Sequence, residues 1–219
     1  MDGHGKLSPR PTLAQPRSPT MTDVPRIDIA AVLAALPAFP QLQGKRARLR
    51  GPRADDAGAL FALFADPEVM RYWSRPPMTD RIEAEGLIAE INEAFVQRTM
   101  LNWMLTTRDD DAVIGTCTLF RFEPRHRHAE IGYALRSDHW GRGLAGEAVT
   151  LALEWGFRTL ALHRVEADID PHNEGSRLLL QRLGFASEGL LRQRYFIDDV
   201  VSDTELFGLL ANDWRARQR

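Results

Sequence analysis

The chain has 219 residues, of which 44% are apolar and 26% charged, with a net charge of −2. That balance suits one globular unit with a tail and excludes a strongly basic nucleic-acid platform. No apolar run approaches the ~18 residues of a membrane span, and the single cysteine, Cys117, excludes an internal disulfide; a cytoplasmic location is expected.

Residues 1–25 are rich in Pro, Ser, Thr and Arg and poor in large apolar residues, so they are expected to be a disordered tail. Met21, inside the tail, is a second candidate for the start of translation. Residues 26–44 form an extension in which Ile29, Val32, Leu33 and Leu36 share a helical face over 27–36. Its apolar stretch, 29–40, is broken by Pro37 and Pro40 and makes a poor secretory signal. The regular part is taken as 45–219.

It opens with an alternating strand, "RARLRG", that stops at Gly51-Pro52. A helix follows with Asp55 or Asp56 as N-cap, Leu60, Leu63 and Phe64 as its inner face, and Pro67 as its end. The next helix starts at Thr79 or Asp80 and aligns Ile82, Leu87, Ile91 and Phe95. Three strands come next, "LNWMLTT", "AVIGTCTLFRF" and "RHAEIGYAL", joined by hairpin-length connections. After a glycine-rich loop, one helix carries Leu144, Ala148, Ala152 and Trp155 on one stripe, with Val149, Leu153 and Leu160 beside it. "RVEADI" is a strand, and 173–185 is a helix capped by Asn173 and closed by Gly184. "GLLRQRYFI", the turn "DDVVSD" and "TELFGLL" close the chain as a hairpin. The order β-α-α-β-β-β-loop-α-β-α-β-β is an α+β layering, a mixed, mainly antiparallel central sheet with flanking helices.

The loop "HWGRGLAGEAV" contains Gly141, Gly143 and Gly146 in a G-x-G-x-x-G spacing, which admits a diphosphate to backbone N–H groups at a helix N-terminus. A dinucleotide fold wants this loop in its first βα turn, with βα repeats after it. Here three antiparallel strands precede it, although Asp168 and Asp170 fall where an acidic ribose ligand would sit. A nucleoside-triphosphate loop needs a Lys-Ser or Lys-Thr that is missing. The remaining reading is the diphosphate of an acyl-coenzyme A.

Four ordered blocks bear on that reading: "VIGTCTLFRF", "EIGYALRSDHWGRGLAGEAV", "VEADIDPHNEGSRLLLQRLGFASEGLLR" and "SDTELFGLLANDW". Together they resemble the GNAT superfamily of N-acetyltransferases, in particular its RimJ/RimL-type branch, which acetylates protein N-termini and small amines. The resemblance runs from Arg46 to Trp214. Trp140 stands where the superfamily often has Gln or Arg, as is usual for this branch; Gly146 and Gln181 stand where the branch more often has a small hydroxyl residue and Glu. It implies a GNAT fold, acetyl-CoA as cosubstrate and direct transfer to a primary amine. The rival is a CoA-binding module that has lost catalysis; less favoured is an NAD-binding oxidoreductase.

The resemblance implies a cofactor site made of Tyr133, Ala134, Leu135 and Arg136, facing the pantetheine arm, and of Trp140, Gly141, Arg142, Gly143, Leu144, Ala145 and Gly146 around the diphosphate, with Asn173 and Ser176 beyond. It also implies that strand 164–169 diverges from the strand before the loop. Glu130 is the candidate general base, acting through water, with an ion pair to Arg127 or Arg136 as the alternative role. Ser176 is the candidate donor to the departing thiolate and Tyr195 the alternative acid. Tyr72, Trp73 and Arg75 are assigned to the acceptor channel, toward which Asp198, Asp199 and Asp203 can draw a cationic amine.

Cys117 reads as a buried small hydrophobe rather than a nucleophile. His126, His128 and Glu130 alternate, but without a further ligand cluster no metal is assigned. The expected partner is an amine acceptor, with no nucleic acid and no membrane, for a monomer or homodimer.

Overall fold

The computed structural model describes residues 27–197 and 199–218; the tail 1–25 and Asp198 lie outside them. One eight-stranded sheet runs through the molecule in the order β1-β2-β3-β4-β5-β6-β8-β7. Its strands are β1 (Leu42–Gln43), β2 (Ala47–Arg50), β3 (Met100–Thr107), β4 (Val113–Glu123), β5 (His128–Leu135), β6 (Arg164–Ile169), β7 (Ala186–Ile197) and β8 (Val200–Leu210). Every neighbouring pair is antiparallel except β5 and β6, so the sheet is mixed and mainly antiparallel, as expected. The helices are α1 (Ile29–Ala34), α2 (Ala57–Phe64), α3 (Pro67–Met70), α4 (Arg81–Val96), α5 (Leu144–Arg158), α6 (Glu174–Leu183) and α7 (Ala211–Arg217).

Each face of the sheet buries its own core. On one face Ile29 and Leu33 of α1, Ala148, Val149, Ala152, Leu153 and Phe157 of α5, and Leu180 of α6 pack on Leu101, Trp103, Leu105, Cys117 and Leu119. On the other, α2 and α4 pack Leu60, Leu63, Phe64, Ala84, Ile88 and Ile91 on Met104, Val113 and Ala134. The alternation of β3 follows from its pleat: residues 101, 103 and 105 face one core and Met104 the other. Trp103 donates its indole N–H to the Pro40 carbonyl at 2.8 Å, which fixes the N-terminal extension against the core.

Several local expectations change. In α4 the buried face is Ala84, Ile88 and Ile91, and Ile82 is turned to solvent. Asp80 caps this helix and Glu83 completes a capping box. Asp56 does not cap α2 with its side chain; it forms a two-pronged ion pair with Arg50, both bonds at 2.8 Å, and both residues are buried. Pro67 does not merely end a helix, since Asp66 caps the short α3 that Pro67 begins. The final hairpin is longer than expected: β7 starts at Ala186 and β8 already at Val200. The segment expected to end in a strand continues as α7, whose Trp214 packs on Phe157 with ring centroids 6.0 Å apart.

Candidate active site

The site starts with a split in the sheet. β5 pairs with β4 as far as Leu135, but with β6 only through His128, Ala129 and Glu130. Past the pair Glu130–Glu166 the two parallel strands diverge while both continue, to Leu135 and Ile169. The divergence expected of strand 164–169 is therefore present, and residues 131–135 keep β4 as their only strand neighbour. Ala134 and Leu135 are buried in β5, and Arg136 pairs with Asp138 at 2.7 Å.

β5 leads into a turn of 3-10 helix at Ser137–His139 and then into the glycine loop. Trp140 is half-exposed and donates its indole N–H to the Leu135 carbonyl at 2.7 Å. Gly141 and Gly143 have φ of 73° and 74°, left-handed values that cost other residues strain. Gly143 is the N-cap of α5 and no side chain caps the helix, so the N–H groups of its first turn, from Leu144, Ala145 and Gly146, have no side-chain cap and sit at the positive end of the helix dipole. A Cβ at Gly141 or Gly146 would meet nothing within 4 Å, which marks an open cradle. Arg142 bends back, donating to the Asp138 carbonyl at 2.9 Å.

Glu147, in the first turn of α5, braces the loop. It accepts from the backbone N–H of Arg46 at 2.8 Å and of Ala47 at 3.2 Å. Arg46 meets it with Nε at 3.2 Å and donates Nη1 to the Arg142 carbonyl at 2.8 Å. Burial pushes the Glu147 carboxyl up, but these donors together hold it below its ordinary value. This brace was not legible in the sequence, because residues 46 and 147 meet only through the fold.

Below the split lies a cavity of about 430 Å³, walled by β3 to β8, α6 and the segment between α2 and α4. Glu130, Tyr133, Asn173, Ser176 and Tyr195 line it, and so do Tyr72, Trp73 and Arg75. The catalytic and acceptor candidates are thus brought together, whereas residues 140–146 lie apart from them at the helix terminus. Glu130 pairs with Arg121, at 2.9 and 3.1 Å, and not with Arg127 or Arg136. Arg121 reaches it because a β-bulge follows Phe120 and puts Arg121 at φ 49°.

Asn173 caps α6, its side-chain oxygen accepting from the Ser176 N–H at 3.1 Å. Tyr195 donates its hydroxyl proton to Asp168 at 2.6 Å; burial and this bond raise its pKa. The sequence reading gives Tyr133 only a backbone role, whereas its side chain lines the cavity. Its hydroxyl is buried near Ser176, lacks a hydrogen-bond partner among the described residues, and is pushed up to about 12, chiefly by burial. Asp168, Asp170 and Asp203 add negative charge to the walls. In the sequence, Asp168 of β6 and Asp170 just beyond it stand out only by their distance from the glycines.

The remaining candidates fall elsewhere. Cys117 is buried, its thiol pushed up to about 12 by burial. His126 lies in a turn rather than on β5, and His128 sits 3.0 Å from Glu166. Asp199 is in the β7–β8 turn. Among the described residues no helix is long and apolar enough to cross a membrane.

Residues 46–186 match the acetyltransferase (GNAT) domain. An uncharacterised N-acetyltransferase, p20, of Bacillus licheniformis is 36% identical over 173 residues, which are 79% of this chain and 97% of that protein. The [ribosomal protein uS5]-alanine N-acetyltransferase of Escherichia coli is 34% identical over 131 residues, 59% of this chain and 68% of that protein. The spermidine N-acetyltransferase of Vibrio cholerae, solved in complex with CoA and spermine, superposes with a TM-score of 0.69 at 23% identity, covering 78% of this chain and 99% of its own.

Proposed function

The chain belongs to the acetyltransferase (GNAT) family, and from that premise we propose that it transfers the acetyl group of acetyl-CoA directly to a primary amine held in the cavity beside Glu130, either a protein N-terminal α-amine or a small-molecule amine. The observation that carries this reading is the split between β5 and β6, which joins an uncapped helix N-terminus at one end to a carboxylate-lined cavity at the other. A diphosphate fits the cradle at Gly141 and Gly143, where backbone N–H groups and the helix dipole supply the attraction without a lysine. The open backbone of 131–135 suits the amides of a pantetheine arm, which would add like a strand.

Bound acetyl-CoA supplies an activated thioester carbonyl as the acetyl donor. The chain supplies proton handling and position. An acceptor arrives largely as its ammonium form, and the carboxylates of Glu130, Asp168, Asp170 and Asp203 favour its entry. Glu130 takes the ammonium proton through a water, leaving the amine free to attack. An α-amine, with a pKa near ~7.7–8.0, needs little help, whereas a lysine amine near ~10.4 needs more. The Ser176 hydroxyl donates toward the departing sulfur. Tyr195 suits that role less well, because its proton is already engaged by Asp168.

The test is thiol release from acetyl-CoA by the purified protein, with peptides bearing free N-termini and with small amines. Release that depends on an amine and yields its acetyl amide is the expected result. CoA binding without release for any amine would identify a silent CoA-binding module, and a melting shift with NAD equal to that with CoA would reverse the choice of cofactor.

A further inference from the structure

Three guanidinium groups line the cavity, those of Arg71, Arg75 and Arg121. Two are neutralised within the chain, Arg71 by Glu68 at 3.2 Å and Arg121 by Glu130 at 2.9 Å. Arg75 has no carboxylate at ion-pair distance among the described residues, and its Nε is buried without a hydrogen-bond acceptor. It is held by aromatic faces instead, 4.8 Å from the Phe64 centroid and 6.0 Å from that of Trp73. The two rings pack edge to face at 5.3 Å. Glu83 and Glu90 of α4 act on Arg75 only through space, and burial lowers its pKa, although an arginine stays charged. Across from this segment Asn102 of β3 lines the same cavity, more than nine-tenths buried, with its side-chain oxygen unpartnered.

A half-buried cation without a counter-ion is unfavourable, and cation–π contacts offset only part of that. The planar fork of a guanidinium matches a carboxylate or phosphate in two-pronged fashion, and the rings hold it ready. The carboxylates of the cavity belong to β5, β6, the residue just after β6, and β8, while Arg75 comes from the segment between α3 and α4. We propose that Arg75 is an anion clamp in the acceptor subsite, and that the acceptor is an amine which also carries an anionic oxygen group, with Asn102 accepting one of its N–H groups. Its ammonium then lies toward Glu130 and its anion toward Arg75. A plain polyamine would instead bring a second cation against Arg75.

This inference rests on amine acetylation as the activity. The test compares kcat/KM for four probes of similar length: 4-aminobutyrate, its amide, 3-aminopropyl phosphate and 1,4-diaminobutane. Wild type should favour the carboxylate or the phosphate over the amide and the diamine by ~10- to 100-fold, the range of a charge-assisted hydrogen bond. The ranking of carboxylate against phosphate identifies the anion. Arg75→Gln should bring the acid-to-amide ratio close to one, and Arg75→Lys should keep part of it. A CoA-induced melting shift in both variants establishes that they are folded. Equal rates for acid and amide in wild type, preference for the diamine, or an Arg75→Gln effect that leaves the acid-to-amide ratio unchanged would each overturn the clamp. Transfer to peptides or polyamines but to none of the four probes would overturn it too, while leaving amine acetylation standing. Failure to acetylate any amine would overturn both.

Discussion

Replacing Gly143 by valine strikes the anion cradle through the backbone, and its size follows from two local facts. The residue sits at φ 74°, where an L side chain costs roughly 1–2 kcal/mol, more for a β-branched one. The new Cβ would also lie 3.1 Å from Arg46 Nη2. Arg46 cannot swing away freely, because Nη1 holds the Arg142 carbonyl and Nε holds Glu147. Since that arginine is 60% exposed, losing its ion pair adds only about 0–1 kcal/mol. The free protein should therefore lose about 2 kcal/mol and melt ~4–8 °C lower. The larger effect is on CoA: a displaced loop loses one or two charge-assisted N–H bonds, worth ~1.5–3 kcal/mol each, so affinity should fall at least ~10-fold. Titration calorimetry with CoA reads this directly. Gly86→Ala is the control, since it lies in α4, outside the glycine loop, and its Cβ meets nothing within 4 Å; CoA affinity should stay within about twofold while helix propensity gains up to ~1 kcal/mol. A folded Gly143→Val protein with wild-type CoA affinity would refute a diphosphate site at this helix terminus.

Four further outcomes are expected. Glu130→Gln should lower kcat/KM most at low pH and recover as pH rises toward the acceptor's own pKa; a profile parallel to wild type would remove Glu130 as the base. Ser176→Ala should cut turnover ~10- to 100-fold without that recovery and with CoA affinity nearly unchanged; near-normal turnover would transfer the donor role to Tyr195, Tyr133 or water. Asp56→Asn should destabilise by about 3 kcal/mol in urea unfolding, the low end for breaking a buried pair, because Arg50 keeps Asp111 at 2.8 Å; a loss under ~1 kcal/mol would mean that Asp111 and water satisfy Arg50 unaided. The folded Glu147 carboxyl is held low, so its stabilisation is complete above the unfolded value near ~4.3 and is lost as pH falls through the folded value. In Glu147→Gln that stabilisation is absent at neutral pH and the acid loss is smaller; an unchanged acid limb would contradict the brace.

The fold was legible where one physical signal dominates over a short span. Two-residue alternation in 101–107 and 127–135 and helical spacing in 144–158 reflect burial against one core, and Asn173 and Gly184 mark the ends of α6 by hydrogen bonding within a few residues. The errors share a cause. Asp56 reads as a helix cap because a local hydrogen bond is the cheapest use of an aspartate before an apolar run. Its carboxylate does accept the Arg53 backbone N–H at 2.7 Å in the turn before α2, but it also meets Arg50, whose burial at 4% exposure demands a counter-ion. Ile82 is expected on the inner stripe of α4, yet the first turn faces the core with Ala84, 0% exposed, and two residues are about 200° apart on a helix, so Ile82 is turned away and 68% exposed.

The candidate site divides along the same line. The cradle is made of backbone N–H groups in one loop, so its chemistry is written in the spacing of Gly141 and Gly143. The cavity draws its groups from six strands and three helices, and each useful contact crosses the chain. Tyr195 reaches Asp168, 27 residues away, through the β6–β8–β7 stack. The sequence offers Arg127 or Arg136 as the alternative ion-pair partner of Glu130, because a strand without irregularity would bring such neighbours to its edge. The bulge after Phe120 breaks that count and brings the exposed Arg121 onto Glu130. That bulge leaves no composition signature, as Arg121 holds a backbone angle more often taken by Gly or Asn. The residue that neutralises Glu130 is therefore fixed by a local distortion of β4, and the charge left to Arg75 follows from it: with Arg121 committed to Glu130 and Arg71 to Glu68, Arg75 is the cavity guanidinium still without a carboxylate partner among the described residues.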